Sequence, residues 1–195
     1  MQTLLYNLLA KYRICGMMDD VQEEEVMLEP FYPKEYMDST YEIDFRSWRE
    51  KGYRGVIFDV DNTLVPHGAP ADARAIRLFE QLHGLGFRIM LLSNNKEPRV
   101  KSFCESVTGA EYIYKAGKPK REGYEKAMQR MGTDAHTTLF VGDQIFTDVW
   151  GANRAGIYTI LVKPIHPKEE IQIVLKRYLE RIVLHFYLKK EQKRL

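Results

Sequence analysis

The chain has 195 residues, which favours a single domain with terminal extensions. Its hydrophobic share of 45% and charged share of 29% lie near globular averages, so it can bury a sizeable core. The formal net charge of +2 is too small to indicate nucleic-acid binding, and no apolar run approaches the roughly 18 residues of a membrane span. Cys15 and Cys104 form no CxxC pattern, which fits a reduced, cytoplasmic environment.

The charge is uneven along the chain. Residues 19–29 hold six acids and no base, whereas the segment from Lys163 to the end holds nine Lys/Arg against four Glu. A basic tail can favour anionic surfaces such as lipid headgroups or RNA, and it is equally typical of a solvated helix end. We expect a soluble protein that at most lies on a membrane surface.

A regular pattern begins at residue 55, after a mixed and irregular N-terminal extension over residues 1–50. Apolar runs of strand length occupy residues 55–60, 87–93, 111–114, 138–142 and 157–162. Segments with helical spacing lie between them, at residues 70–85, 97–107, 120–131 and 148–155. Strands that alternate with helices predict βαβ units, and therefore an α/β fold whose parallel sheet has helices on both faces.

The C-terminal extension, residues 168–195, has apolar residues at helical spacing over 168–190. This spacing predicts an amphipathic helix of about six turns. We expect its first half to pack against the sheet. Beyond Ile182 the run IVLHFYL is apolar on nearly all sides, so contact with a partner or a membrane is an alternative there.

Polar side chains follow four of the predicted strands. They are Asp59 and Asp61 after the first, Ser93 and Asn94 after the second, Lys118 after the third, and Asp143 with Asp148 after the fourth. Ligands bind parallel sheets at the carboxyl ends of the strands, so these side chains should meet at one edge. Each group alone has a plainer explanation as a turn, a helix cap or a loop residue. Their joint occurrence, each at a strand end, favours a shared site.

The residue types fit phosphoryl transfer. A carboxylate such as Asp59 can attack phosphorus, and a second one two residues on, Asp61, can act as general acid and then base. Carboxylate and phosphate repel each other, so the site needs a cation, and Mg²⁺ prefers oxygen ligands such as Asp59, Asp143 and the main-chain carbonyl of Asp61. Ser93 can donate to phosphate oxygens, and Lys118 can neutralise charge that develops in the transition state.

Four segments resemble the motifs of the haloacid dehalogenase (HAD) superfamily of phosphatases. They are DVDNTLV (59–65), LLSNN (91–95), GKP (117–119) and GDQIFTD (142–148). Over about residues 30–166 the chain is similar to the YqeG family of HAD subfamily IIIA, which resembles mitochondrial and plastid phosphatidylglycerophosphate phosphatases. The resemblance implies a Rossmann-like core with five strands in the order 5-4-1-2-3. Asn62 replaces the glycine of the common Asp-x-Asp-Gly-Thr motif, a variant that this subfamily shares.

The resemblance also implies a role for each matched residue. Asp59 would be the nucleophile and Asp61 the general acid and base. Ser93, Asn94 and Lys118 would bind the phosphate, and Asp59, Asp61 and Asp143 would hold Mg²⁺. Asp148 would be either an outer-shell partner or a direct ligand of the ion.

Spacing excludes a cap domain, the lid that many HAD enzymes insert between motifs. Residues 65–88 and 96–116 leave room for one helix each, with a strand in the second segment. An open site favours phosphates carried by something large. We therefore predict an Mg²⁺-dependent phosphomonoester hydrolase of phospholipid metabolism, cytoplasmic or peripheral at the membrane, that acts on the phosphatidylglycerophosphate headgroup and binds no nucleic acid.

Two alternatives remain open from the sequence. One is a cap-less phosphatase of protein, nucleic acid or nucleotide. The other, of a different class, is a receiver-like phospho-acceptor domain, which shares an aspartate, a hydroxyl, a lysine and Mg²⁺. Against the receiver alternative, Asp61 would have no task in a long-lived phosphoryl switch.

Overall fold

The computed structural model describes residues 28–166 and 171–192, with side chains over 28–166 and 177–192. The apolar N-terminus, most of the acidic block, Cys15 and the end of the basic tail lie outside the described residues, and so do residues 167–170.

The core is a parallel sheet in the spatial order β1-β6-β5-β2-β3-β4. Its strands are β1 (Glu35–Met37), β2 (Gly55–Phe58), β3 (Arg88–Leu92), β4 (Ala110–Ile113), β5 (Thr138–Gly142) and β6 (Tyr158–Val162). The central strands β2 and β5 are buried along their whole length. Strands buried on both faces read as continuous apolar runs, which is why the sequence predicts them so directly.

The sheet has six strands rather than the five predicted. Strands β2 to β6 keep the expected order 5-4-1-2-3, and β1 adds to the β6 edge with Glu35 opposite Ile160 and Met37 opposite Val162. This strand comes from the extension that the sequence predicts to be irregular. It spans three residues, all of them half-buried, so it shows neither alternation nor an apolar run.

Helices cover both faces of the sheet, as predicted. They are α1 (Phe45–Glu50), α2 (Ala73–Gly84), α3 (Glu97–Glu105), α4 (Arg121–Met131), α5 (Trp150–Arg154) and α6 (Ile171–Gln192). On β2, Val56 and Phe58 pack against α1, α2 and α3, whereas Ile57 points to the opposite face and packs against α4 and α5. A π-helical turn, Ile145–Val149, precedes α5 and begins the helical segment three residues before its predicted start.

The C-terminal helix α6 packs on the protein's own surface. Val183 and Tyr187 are buried in a cluster that includes Leu28 and Phe31 of the N-terminal extension. Most of the apolar run beyond Ile182 therefore faces the domain itself, although Leu188 is 40% exposed. Among the described residues, no helix has the length and apolar character needed to cross a membrane.

No cap domain interrupts the fold between the predicted motifs. Residues 65–88 and 96–116 lie wholly within the described part of the chain. The first segment contains a loop and α2, and the second contains α3 and β4. The carboxyl edge of β2, β3 and β5 is therefore free of any inserted lid from these segments.

Gly151 allows a close contact between α5 and α4. A Cβ atom at this position would lie 2.5 Å from Oη of Tyr124, whose buried hydroxyl donates to the carbonyl of Thr147 at 2.7 Å. We expect Gly151→Ala to lower the free energy of unfolding by about 1–3 kcal/mol, because overpacking forces a shift of the ring or of the helix. Urea denaturation followed by circular dichroism measures this.

Gly84→Ala is the matched control. No heavy atom lies within 4 Å of a Cβ built at this helical position. Alanine there should leave stability unchanged or raise it by roughly 0.5–1 kcal/mol. Equal effects of the two substitutions would contradict the packing argument.

Candidate active site

Asp59 stands at the carboxyl end of the central strand β2. Its N–H donates to the carbonyl of Val141 on β5 at 3.0 Å, which fixes the residue beside the neighbouring strand. Its carboxylate is buried, with Oδ1 2.6 Å from Nζ of Lys118. The same Nζ lies 2.7 Å from Oδ1 of Asp148, so one ammonium bridges two carboxylates.

Asp143, at the end of β5, joins this group through Thr63. The hydroxyl of Thr63 donates to Oδ1 of Asp143 at 3.1 Å and lies 3.5 Å from Oδ2 of Asp59. On its other side, Oδ2 of Asp143 accepts from the guanidinium of Arg177 on α6. Arg177 also pairs with the buried Glu180 at 2.9 Å, so the helix α6 is anchored to the end of β5.

Burial and mutual repulsion set the charge of these groups. Burial raises the pKa of Asp59 to about 8, with Lys118 opposing the shift and the charges of Asp148 and Asp143 adding to it. Burial also raises the pKa of Asp143 to about 7, against the lowering effect of Arg177. Burial lowers the pKa of Lys118, but Asp148 and Asp59 together outweigh it and hold that pKa above its ordinary value.

The acidic cluster fits a divalent metal ion. Asp59, Asp143 and Asp148 each offer a carboxylate oxygen, and these oxygens lie within 4.8 Å of one another. Hard oxygen donors of this kind suit Mg²⁺. Gly142 permits the arrangement, because a Cβ there would lie 2.6 Å from Oδ2 of Asp148. Asp148, for which an outer-shell role and direct ligation are both open from the sequence, lies inside the cluster.

The carboxylate of Asp61 lies outside this cluster and has its own donors. Its Oδ1 accepts from the N–H of Gly68 at 2.7 Å and from Nη2 and Nε of Arg99 at 2.9 and 3.3 Å. Its Oδ2 accepts from Nδ2 of Asn95 at 2.6 Å. Between Asp61 and Thr63 the chain turns at Asn62, whose φ of 64° is a left-handed conformation that asparagine tolerates.

The residues predicted to bind phosphate, Ser93 and Asn94, have different hydrogen-bond partners in the structure. Ser93 is buried, and its Oγ accepts from the N–H of Asn95 at 3.2 Å. Both ends of the Asn94 side-chain amide bind the main chain of Lys118: Oδ1 accepts from the Lys118 N–H at 2.8 Å, and Nδ2 donates to the Lys118 carbonyl at 3.1 Å. Asn94 therefore fixes the main chain that carries the lysine.

A polar cavity of about 200 Å³ opens between these residues. Its lining includes Asp59, Asp61, Ser93, Asn94, Asn95, Lys118, His67 and Gln144. Asp143 lines a second cavity of about 360 Å³ beside α6, together with Arg177 and Leu161. The segment that follows β5 lines both cavities, the first with Gln144 and Thr147 and the second with Asp143 and Ile145.

Sequence reasoning missed four residues of this site: Thr63, Asn95, Arg99 and Arg177. Asn95 lies before the helix that begins at Glu97, and Arg99 lies in the first turn of that helix, so helical spacing does not link the two residues. Nothing in the sequence around Arg177 indicates its contact, because that contact depends on where α6 docks.

Comparisons with known proteins agree with the geometry. The family model for haloacid dehalogenase-like hydrolases matches residues 71–156. The probable phosphatase YqeG of Bacillus subtilis is 37% identical over 160 residues, which cover 81% of this chain and 92% of that protein.

Two more distant relatives are each named phosphatidylglycerophosphate phosphatase 1. The chloroplastic protein of Chlamydomonas reinhardtii is 28% identical over 71% of this chain, and the chloroplastic/mitochondrial protein of Arabidopsis thaliana is 29% identical over 76%. The chain spans about half the length of these two proteins, 55% and 45% respectively. The identity to YqeG extends over most of both chains. The protein therefore belongs to the YqeG family of haloacid dehalogenase-like phosphatases.

Proposed function

We propose that the protein hydrolyses phosphomonoesters through an aspartyl-phosphate on Asp59, with Mg²⁺ as cofactor. The observation that carries this proposal is the position of Asp59. Its buried carboxylate lies at the end of the central strand, 2.6 Å from Lys118, in a polar cavity that it shares with Asp61. A nucleophile, a proton-transfer group and a fixed cation thus line one space large enough for a phosphoryl group.

The reaction divides into two displacements. In the first, an oxygen of Asp59 attacks phosphorus, the ester P–O bond breaks, and Asp61 gives a proton to the leaving oxygen. In the second, Asp61 takes a proton from water as the water attacks the aspartyl-phosphate, which releases inorganic phosphate and restores Asp59. Lys118 stays beside the nucleophile throughout, held by Asn94, and offsets the charge of the transferred group.

The metal site is proposed from the same cluster. Asp59, Asp143 and Asp148, with the main-chain carbonyl of Asp61, are the residues that would hold Mg²⁺. When bound, the ion supplies positive charge between the carboxylates and the phosphate. Thr63 holds Oδ1 of Asp143 beside Asp59, and Arg177 holds Oδ2, so the ligand has a fixed orientation.

For the substrate we propose phosphatidylglycerophosphate or a closely related phospholipid headgroup. Two relatives carry that activity in their names, and no cap closes the site between the motifs. A phosphate at a membrane surface can reach such an open cavity without leaving its lipid. A phosphatase of protein, nucleic acid or nucleotide is the competing outcome of the substrate test below.

Asp59→Asn tests the nucleophile. Asparagine keeps the size of the side chain but removes the attacking oxygen anion, so turnover should fall by at least about 10³-fold. Stopped assays of phosphate release measure this, and acid-quenched enzyme should retain no phosphate. The fold should persist, because Lys118 keeps its ion pair with Asp148. Appreciable Mg²⁺-dependent activity in this variant would sink the assignment.

Metal binding is tested by stability, independently of catalysis. Mg²⁺ at a hundred times its Kd should raise the free energy of unfolding of the wild type by about 2.7 kcal/mol. Asp143→Asn should lose most of this gain. Glu125→Gln, which removes an exposed charge from α4, is the control and should keep the full response. If Asp143→Asn responds to Mg²⁺ like the control, Asp143 is not a ligand.

The substrate proposal is tested by a panel assay. We expect kcat/KM for phosphatidylglycerophosphate in mixed micelles to exceed that for glycerol phosphate, nucleotides and phosphopeptides by at least about tenfold, a difference of about 1.4 kcal/mol. A short-chain soluble analogue separates recognition of the headgroup from the effect of the surface. A preference for a soluble phosphate would remove the lipid substrate and leave the phosphatase assignment intact.

A further inference from the structure

Arg99 lies in the first turn of α3, outside the four motif segments, yet it contacts Asp61. Its guanidinium directs two N–H groups at Oδ1, at 2.9 and 3.3 Å, and the side chains of the pair are only 19% and 11% exposed. The guanidinium carbon also lies 5.8 Å from the centre of the Phe103 ring, one turn along α3. Ring and carboxylate together hold the arginine in one place.

The two oxygens of the Asp61 carboxylate are unequally engaged. Oδ1 accepts three hydrogen bonds, two from Arg99 and one from the N–H of Gly68. Oδ2 accepts one from the described part of the chain, that of Asn95. A carboxylate has about four lone-pair sites, two on each oxygen. Oδ1 is thus saturated, and Oδ2 keeps capacity for one more partner.

We propose that Arg99 and Asn95 are positioning residues that orient Asp61 so that Oδ2 exchanges the proton with the leaving group and then with water. The inference rests on the proposed function, in which Asp61 is the general acid and base. Arg99 saturates Oδ1 and prevents rotation of the carboxylate, and Asn95 directs Oδ2. Gly68, at φ 75°, supplies the third donor from a backbone conformation that few other residues adopt.

The planar fork of arginine explains the residue type. Two N–H groups of one guanidinium reach a single oxygen from fixed directions, which a lysine ammonium on a flexible stem cannot reproduce. Lysine at position 99 would keep the charge but lose the orientation. Arg99→Lys therefore separates an electrostatic role from a positioning role.

The competing explanation is that Arg99 leaves Asp61 and binds the phosphate of the substrate. The two roles differ in their dependence on the leaving group. In the first displacement, a group that holds the proton donor matters when the leaving oxygen needs a proton, as in an alkyl phosphate. It matters little in that step for 4-nitrophenyl phosphate, whose phenolate leaves without a proton. A phosphate-binding group affects the first displacement of both esters alike.

The experiment compares Arg99→Ala, Arg99→Lys and the wild type on an alkyl phosphate and on 4-nitrophenyl phosphate. With the alkyl ester, we expect kcat of Arg99→Ala to fall by about 10–100-fold, part of the 10²–10⁴ that general acid–base catalysis contributes, with little change in KM. With the nitrophenyl ester, Arg99→Ala should release nitrophenolate rapidly in the first turnover and slowly in the steady state. Phosphoenzyme should accumulate, because the hydrolysis step also uses Asp61. Arg99→Lys should recover only part of the alkyl rate.

A double-mutant cycle and a surface control complete the test. In an Asp61→Asn background, Arg99→Ala should cost no more than about twofold, since the group that it positions is already lost. Lys101→Ala, on the same helix and 55% exposed, should behave like the wild type. The positioning role would be overturned if Arg99→Ala lowered kcat/KM equally for both esters through a higher KM, and if the same loss appeared in the Asp61→Asn background. Full activity of Arg99→Ala would also overturn it.

Different measurements distinguish a variant that fails to fold from a failure of the proposed function. If Arg99→Ala fails to fold by circular dichroism, Arg99→Lys and Asn95→Ala carry the same comparison of esters. Full activity with the alkyl ester in both of them would overturn the inference. If wild-type enzyme yields no acid-stable phosphoenzyme under any quench and Asp59→Asn remains active, the aspartyl-phosphate mechanism itself fails, regardless of Arg99.

Discussion

The repulsion among buried carboxylates at the ends of β2 and β5 is the constraint on which the rest of the structure depends. Three aspartates offer oxygens within 4.8 Å of one another, in a place where burial already disfavours their charge. Breaking a buried ion pair by removing one partner typically costs about 3–5 kcal/mol, so each charge must keep its counter-charge. The main-chain clamp of Asn94 on Lys118 is one consequence of this requirement.

Each counter-charge comes from a different part of the fold. Lys118, in the loop after β4, serves Asp59 and Asp148, whereas Arg99 of α3 serves Asp61 and Arg177 of α6 serves Asp143. The carboxylates themselves lie in the segments that directly follow two adjacent central strands, β2 and β5. The site is therefore a product of the whole α/β arrangement, and the stability of distant elements contributes to the geometry at the centre.

The sequence predicts the centre of the molecule better than its edges. Continuous apolar runs predict strands β2 and β5. The aspartates at the ends of these strands are predicted to be functional, because a buried strand would not otherwise keep such polar residues. Strand β1 is not predicted, because its three half-buried residues are too few to show a periodic pattern of apolar and polar side chains. Asn94 shows a different limit: its type indicates hydrogen bonding, but only the fold reveals that its partner is the main chain of Lys118. Arg177 depends on helix docking, which is a tertiary property.

The contact of Arg177 with Asp143 also has a consequence for the order in which the site is completed during translation. The two residues are 34 positions apart, and at about 5–20 residues per second the arginine leaves the ribosome roughly 2–7 s after the aspartate. All six strands of the sheet precede Arg177 in the chain, so they can be synthesised before this arginine is available. Until then only protons or ions of the surrounding solution can take its place beside Asp143. We expect the nascent chain to be more sensitive to ionic conditions at that stage than the finished protein.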